Sequence, residues 1–522
     1  MVRQGFKITN MPTPSEKLAE ALEALHELQE QGLVAIKSTE ISRTSRELLV
    51  NNGYLKEVSK GWYTPGRPDE RPGDSTSWYS SYWEFCSRFL QEKYEKDWII
   101  YPEQSLQIHA GNWSVPKQLL IRSSEGSNYI MPLPHETSLL VVKAALPSAE
   151  NTEVLQGLRC YTLAGSLIFC SLNTFSQNSI EARTALAMIR DSSEVLHVLL
   201  AGGHTTYAGR LAGAFRNIGR DRIAQEIMDT MTAAGYDVRE EDPFDTKLTL
   251  NLPPRERSPY VNRLRLMWHQ MRSVIITHFP PAPGLPSDKE RYLKTVDNLY
   301  ISDAYHSLSI ERYRVTKELI ERVRSGEWDH HTYEADRKQR DAMAARGYWQ
   351  AFQQVKGSVQ KILSGENAGH VADIDHGRWY RQLFEPSVAA GILKAEDLAG
   401  YRNHQVYIGG SMHVPINVDA LQDVMPVLFE LLESEPEASV RAVLGHFIFV
   451  FIHPYMDGNG RMGRFLMNAM LASGGYPWTV IPVERREEYM QALEKASVGQ
   501  DIEPFAKFLG FLVKETIDKG GA

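Results

Sequence analysis

The chain of 522 residues is poor in cysteine: it has three, Cys86, Cys160 and Cys170, scattered along the sequence. Such a set supports neither a disulfide framework nor a thiolate zinc site, and an odd count fits a reducing compartment. Apolar runs of about 18 residues are lacking, so no membrane-spanning helix is expected. The N-terminal MVRQGFKITNMPTPSEK has no apolar core and no cleavage signal, so no secretory leader is expected. An excess of one charge is lacking too. The 57 basic and 65 acidic residues leave a net charge of -8, which argues against a surface coated by nucleic acid or seated on an anionic membrane. A local basic patch stays open. Internal repeats, long low-complexity tracts, a Walker A lysine loop and the kinase signature set are all missing. A soluble, cytoplasmic protein with no membrane partner is expected.

What is present is an ordinary globular composition, 43% hydrophobic and 23% charged. That much apolar side chain excludes wholesale disorder. Single cores stop growing at about 250–300 residues, so roughly three domains are expected. Leu18, Leu22, Leu25 and Leu28 recur at helical spacing over residues 14–30, with Gly32 just beyond. Ser38 or Thr39 caps a second helix over 40–50. Asn52-Gly53 is a turn signal, and Tyr54-Leu55 and Gly61-Trp62-Tyr63-Thr64 then bracket a hairpin. Residues 96–250 alternate strand-like runs (98–101, 118–122, 167–172) with helical ones (180–190, 220–234), an α+β middle domain. Two proline clusters follow, Leu252-Pro253-Pro254 and Phe279 to Pro286, which read as a stiff, extended linker over 251–287. Beyond it come helices at 288–324, 331–363, 376–392, 417–434, 437–452, 458–473 and 484–516. Asp329-His330-His331 lies among them without ligand partners at metal-binding spacing.

The chemistry concentrates at His453-Pro454-Tyr455-Met456-Asp457-Gly458-Asn459-Gly460-Arg461-Met462-Gly463-Arg464. An apolar helix ends at His453 because the following proline disfavours helical geometry there. Gly458, Asn459 and Gly460 make a tight loop that opens a new helix. Its free N–H groups and positive end form an anion site. Arg461 and Arg464, three apart, offer two guanidinium forks for further phosphate oxygens. Asp457 beside phosphates suits magnesium, which takes one or two carboxylates plus phosphate ligands. His453 at the rim can accept a proton near neutral pH. Together these describe a polyphosphate nucleotide held beside a metal and a base.

This stretch resembles the Fic family signature H-P-[FY]-x-[DE]-G-N-G-R-x-x-R and matches every defined position. The resemblance, over roughly residues 288–516, implies transfer of AMP from ATP, with Mg2+ or alternatively Mn2+, to a Ser, Thr or Tyr hydroxyl of a target protein. The chain itself can be that target. By the resemblance His453 deprotonates the hydroxyl and Asp457 holds the metal. Gly458, Asn459 and Gly460 form the anion hole. Arg461 and Arg464 hold the β- and γ-phosphates, and Tyr455 packs beneath the loop. Tyr407 to Pro415 resembles the family's β-hairpin flap, whose edge (Ile408, Gly409, Gly410, Ser411, Met412, His413) pairs with the target backbone. His413 is expected at the rim, and His446 as a structural or orienting histidine. Ser307 and Glu311 resemble the family's inhibitory motif, in which the glutamate pairs with the second arginine, here Arg464, and blocks productive ATP binding. Arg312 stands where that motif has Gly or Asn. Tyr489, on the helix after the signature, is either an adenine contact or a core tyrosine.

Residues EQGLVAIKSTEISRTSRELLVNNGYLKEVSKGWYTP resemble the N-terminal winged helix of abortive-infection-type antitoxins and transcriptional regulators. The resemblance places Arg43 and Arg46 on a recognition helix that can touch DNA. Residues 1–65 carry eight acids and eight bases, so a protein-contact role stays equally open. The expected architecture is a winged helix over 1–95, an antitoxin-like α+β domain over 96–250, a linker over 251–287, and an all-α Fic domain with its inhibitory helix over 288–522. The expected function is an adenylyltransferase restrained by Glu311, with self-association implied by the family resemblance. Two alternatives stand beside it. One is removal of AMP, or transfer of another nucleotide, at the same site. The other is a DNA-binding regulator or antitoxin-type fusion whose Fic domain senses nucleotide.

Overall fold

The computed structural model describes residues 13–68, 70, 74–250, 252–253, 256, 258–325 and 340–519. Most of the N-terminal MVRQGFKITNMPTPSEK, the turn Asp329-His330-His331 and the start of the helix read at 331–363 lie outside the described residues. The protein is mostly helical, with small sheets confined to its N-terminal part.

Helix α1 (Pro14–Glu30) starts at a capping box in which Thr13 and Glu16 satisfy each other's backbone N–H. Strand β1 (Ile36–Lys37), α2 (Arg43–Asn51), β2 (Leu55–Ser59) and β3 (Trp62–Pro65) follow. The strands pair antiparallel in the order β1-β3-β2, with Ile36 opposite Tyr63 and Leu55 opposite Pro65. Ala21 and Leu25 of α1 and Leu49 of α2 bury against Ile36, Ile41 and Leu55. Helix, helix and hairpin thus follow in the expected order.

Helix α3 (Thr76–Tyr94) leads into β4 (Ile99–Ile100), α4 (Pro102–His109), β5 (Gln118–Ser123), β6 (Ile130–Pro132), β7 (Ser138–Lys143), β8 (Thr152–Leu155) and β9 (Leu158–Tyr161). The second sheet runs β4-β5-β7-β6; β5 and β7 are parallel, with Gln118 opposite Ser138. Trp78, Tyr82 and Phe85 of α3 pack on Trp98, Leu119, Ile121 and Leu139, and Met412 and Val414 from much later in the chain join the same core.

From here to residue 233 the chain is helical: α5 (Leu163–Phe169), α6 (Asn173–Gln177), α7 (Ser179–Met188), α8 (Ser193–Gly202), α9 (Thr205–Asn217) and α10 (Asp221–Ala233). The strand read at 167–172 is therefore corrected. Thr162 caps α5 by accepting the Gly165 N–H at 3.1 Å, and Ala164 to Ile168 are all buried. A short apolar run buried on every side carries no period to separate strand from helix.

The linker reading of 251–287 is also corrected. Its middle is a long helix, α11 (Pro259–His278), started by Pro259 and the Ser258 cap. Val261, Leu264, Trp268, Met271 and Ile275 keep helical spacing and bury in the large C-terminal core. Trp268 donates to Glu435 at 3.1 Å, and Arg272 pairs with the same carboxylate at 2.9 Å. The prolines mark the ends of this helix and say nothing against the segment between them.

The C-terminal bundle contains α12 (Lys289–Ile310), α13 (Lys317–Ser325), α14 (Arg340–Leu363), α15 (Ala368–Ala389), α16 (Leu421–Ser434), α17 (Ala438–Ile452), α18 (Asn459–Ala472), α19 (Arg486–Gly499) and α20 (Glu503–Asp518). The single helices read at 288–324 and 484–516 are each two. The breaks fall at Arg312 and Gln500, both with left-handed backbone (φ 66 and 56). No helix among the described residues is long and apolar enough to cross a membrane.

Candidate active site

Helix α17 is apolar on all faces and buried from Ala438 to Ile452 save Arg441 and Val450. It ends at His453, whose backbone is left-handed (φ 56, ψ 58). That turn sends the chain into a loop braced by one side chain. Asn459 accepts the Tyr455 N–H at 2.9 Å and donates to the Tyr455 carbonyl at 2.8 Å. Gly458 sits at φ 82, and a Cβ there would come within 2.7 Å of the Phe384 ring, so only glycine fits. Gly458 is also the cap residue of α18 and supplies no side-chain cap. The first N–H groups of α18 are therefore left for a ligand. Tyr455 lies under the loop, stacked on Tyr380 at 3.7 Å.

His453 is half-buried, and its Nδ1 lies 3.1 Å from the Val450 carbonyl. A carbonyl only accepts, so Nδ1 carries the proton and the Nε2 lone pair is free. Burial pushes the imidazole down to about 4, against the opposing Val450 contact. The ring is neutral at pH 7 and able to accept a proton. Arg402 fixes the turn from behind. Its backbone N–H donates to the Pro454 carbonyl and its Nε to the His453 carbonyl, each at 2.8 Å, and its Nη2 donates to the Ile416 carbonyl. Sequence reading missed Arg402, because a lone arginine in a loop carries no spacing signal.

Arg461 is 1% exposed and lies between the Tyr313 and Phe384 rings, 5.0 Å from each centroid. Its Nη2 reaches Asp457 at 3.3 Å. Arg464, equally deep, donates from Nε to the Ser307 hydroxyl at 2.8 Å and from Nη2 to the Ser307 carbonyl at 3.0 Å. The same Nη2 meets Glu311 at 2.8 Å. Arg461 Nε and Arg464 Nη1 are buried without a protein partner, so each keeps a donor for a ligand or a water. Glu311 ends α12, and its carboxylate lies over Gly460 where a side chain there would stand. Arg312 next to it holds a left-handed backbone, the geometry Gly or Asn adopts more readily.

His453, Glu311, Arg312 and the loop 457–460 line a pocket of about 520 Å³, closed on one side by Tyr407 to Gly410 and on another by Asp74, Arg486 and Met490. Residues 407–415 are not a β-hairpin: they form a turn, closed by the Ser411 N–H donating to the Ile408 carbonyl at 3.1 Å, without a ladder between its arms. External partners hold it instead. The Ser411 hydroxyl and the Met412 N–H donate to Glu494, and the Val115 N–H donates to the Met412 carbonyl at 2.9 Å. His413 is not at the rim. It is 2% exposed, stacks on Phe451 at 4.2 Å and bonds the Phe451 carbonyl through Nε2; burial pushes it down to about 3. His446 is buried, and its Nε2 lies 2.8 Å from the Tyr489 hydroxyl. Tyr489 faces the core beside Phe505 and Phe508, while its neighbour Met490 lines the pocket. The helical repeat could have separated the two: Tyr489, Ala492 and Ala496 share the buried face. In the N-terminal part, Arg43 pairs with Glu47 and Arg46 donates to the Ser38 carbonyl.

The geometry of a loop, two buried arginines and a rim histidine agrees with a family match: residues 376–471 fit the Fic/DOC family model, so this chain carries a Fic/DOC family domain. Over 122 residues it is 40% identical to proteins named protein adenylyltransferase Fic from Drosophila willistoni and Drosophila virilis. The alignment takes in 23% of this chain and 24% of each of those proteins, so the chain spans about a quarter of the length of the curated relatives it matches. Among solved structures, Fic-1 (aa134–508) from C. elegans covers 67% of this chain and 97% of its own at 16% identity and a TM-score of 0.37. A Fic domain containing signaling protein from Bacteroides thetaiotaomicron covers 50% and 98%, at 17% identity and a TM-score of 0.34.

Proposed function

We propose that the protein is an adenylyltransferase that moves AMP from ATP to a hydroxyl of a protein and is restrained by its own Glu311. The observation that carries the reading is the meeting of Glu311 with Arg464 directly over Gly460. A carboxylate at a loop built for phosphate is a competitor for it. In the released state, the N–H groups at the start of α18 and the two arginines would receive the β- and γ-phosphates. His453 Nε2 would take the proton of the incoming hydroxyl. Its oxygen would bond to the α-phosphorus as the bond to the bridging oxygen breaks, and pyrophosphate would leave. Positioning and charge neutralisation carry most of such a reaction.

A divalent metal fits the site on the donor set present. Asp457 points outward, its side chain 59% exposed, and no cluster of three or more ligating side chains occurs among the described residues. A magnesium held by one carboxylate and the nucleotide's own phosphates needs no more. It would supply neutralisation of the phosphate charge.

The same pocket holds Glu311 and His453 together, which supports a second reading, removal of AMP with Glu311 acting on water. For the N-terminal part, we carry residues 1–95 as a winged-helix adaptor and 96–250 as a companion domain. Arg43 is exposed and pairs with Glu47, while Arg46 is turned back to the Ser38 carbonyl, so contacts to a protein or to DNA stay equal alternatives for this part.

Intact mass after incubation with ATP and magnesium tests the function. The Glu311→Gly protein or an added acceptor is expected to gain the mass of one AMP, wild type to gain little, and Glu311→Gly with His453→Ala to gain none. No transfer from ATP or any other nucleotide by Glu311→Gly would sink the transferase reading. Release of AMP from a modified acceptor by wild type, but not by Glu311→Gly, would establish the second.

A further inference from the structure

A second polar cavity, of about 420 Å³, opens at the seam between α6, α7, the segment 244–248 and α11. Its deepest cation is Arg183 on α7, only 2% exposed. The Arg183 Nη2 donates to the Thr246 carbonyl at 2.6 Å and its Nε to Asn217 at 3.3 Å, with Phe244 beneath its plane at 4.3 Å. Among the described residues no carboxylate forms an ion pair with it; its Nε and Nη2 are held by the neutral groups of Asn217 and Thr246. Asp242, the carboxylate nearest in charge, is taken by Asn217 at 2.9 Å and by the Phe244 N–H at 3.0 Å. A buried guanidinium without a counter-ion is costly unless something anionic completes it.

The rest of the lining points the same way. Lys247 stands at the rim, and Asp245 is the one carboxylate among the lining residues. Ser179, the first residue of α7, is among the lining residues, and the cap residue Asn178 makes no side-chain bond to the first N–H groups of that helix. Ser179 and Ser273 add hydroxyls, the Ser176 hydroxyl being spent on the Asn173 carbonyl and His269 Nε2 on Thr249, while Phe175 and Leu248 leave an apolar wall. Charged donors at the floor and rim, with neutral donors between them, match the several oxygens of a tetrahedral phosphate better than a planar carboxylate. The volume exceeds what phosphate alone needs and leaves space for a small organic portion.

We propose that this cavity binds a small phosphate-bearing anion, held by Arg183, Lys247 and the N-terminus of α7. The site is separate from the His453 pocket and does not depend on the transferase reading. Titration calorimetry on the full chain with inorganic phosphate and with glycerol phosphate tests it, sodium acetate being the comparison. Lys247→Ala is expected to weaken phosphate about tenfold, the loss of one charge-assisted hydrogen bond. Ser273→Phe, an exposed position on α11, is expected to fill the cavity and abolish binding. Arg464→Gln, which disables the anion site of the His453 loop, is expected to leave this binding in place. Tighter glycerol phosphate than phosphate would mark an ester as the ligand, and equal affinity the free ion; either supports the site. Absence of binding at millimolar phosphate, binding untouched by both Lys247→Ala and Ser273→Phe, or binding lost with Arg464→Gln would overturn it.

Discussion

Replacing Glu311 should reveal how strongly its carboxylate opposes nucleotide binding at the proposed site. The Glu311–Arg464 contact at 2.8 Å is a charge-assisted hydrogen bond to a guanidinium that is 5% exposed. Bonds of that kind contribute about 1.5–3 kcal/mol. A third of the Glu311 side chain reaches water, which screens the pair and favours the lower end, about 1.5–2 kcal/mol. A γ-phosphate can take Arg464 only after this contact breaks. Glu311→Gly is therefore expected to raise affinity for ATP by about 10- to 30-fold. Glu311→Gln separates charge from bulk: it keeps an oxygen above Gly460 but loses the ion pair, so its affinity should fall between the two. The assay is calorimetry with an ATP analogue that cannot be cleaved at the α-phosphorus, with magnesium present. Equal affinity in wild type and Glu311→Gly would refute the reasoning. A Glu311→Gln protein that binds like Glu311→Gly would show that charge alone, and not the space over Gly460, sets the restraint.

Three further outcomes follow from the packing. Burial holds His413 and His446 near 3 and His453 near 4, below the unfolded value of about 6.5. Between these values the unfolded chain binds more protons, so stability should fall as pH drops from about 6.5. In urea melts across pH, His413→Gln, which keeps a donor for the Phe451 carbonyl, should lower that slope by about one proton. Arg312→Gly relieves a left-handed backbone and should raise the urea-derived unfolding free energy by up to about 1 kcal/mol, whereas Arg312→Val should lower it by about 1–2 kcal/mol. Tyr489→Phe should cost about 1–2 kcal/mol of stability by leaving His446 without its hydroxyl partner, with ATP affinity unchanged. Met490→Ala should do the reverse, lowering affinity in the calorimeter with little effect on the melt.

The site was more legible than the fold around it, for a physical reason. A loop that binds phosphate must place glycines, arginines and a histidine at fixed spacing, so His453 to Arg464 could be read in one line. Ser307 and Glu311 were legible because a helix fixes their separation, although the break after Ile310 depends on the backbone of Arg312. What escaped was whatever depends on distant chain. Arg402 acts by donating to carbonyls at His453, Pro454 and Ile416, and nothing near it in sequence announces those partners. Helix α11 was hidden by its flanking prolines. The hairpin expected at 407–415 failed because turn residues predict a reversal of the chain, while a ladder needs arms close enough to bond. Here Glu494 and Val115 claim those groups instead.

The bond from Val115 to Met412, and the seating of Met412 and Val414 in the core of the second sheet, make one wall of the His453 pocket a shared part. The turn that borders His453 has its foundation in a region some 300 residues earlier in the chain. A C-terminal bundle cut free at residue 288 would lose that foundation and expose two apolar side chains to water. The N-terminal region is thus a jig for the pocket: whatever tilts it shifts the wall beside His453, without touching a single residue of the loop 457–460.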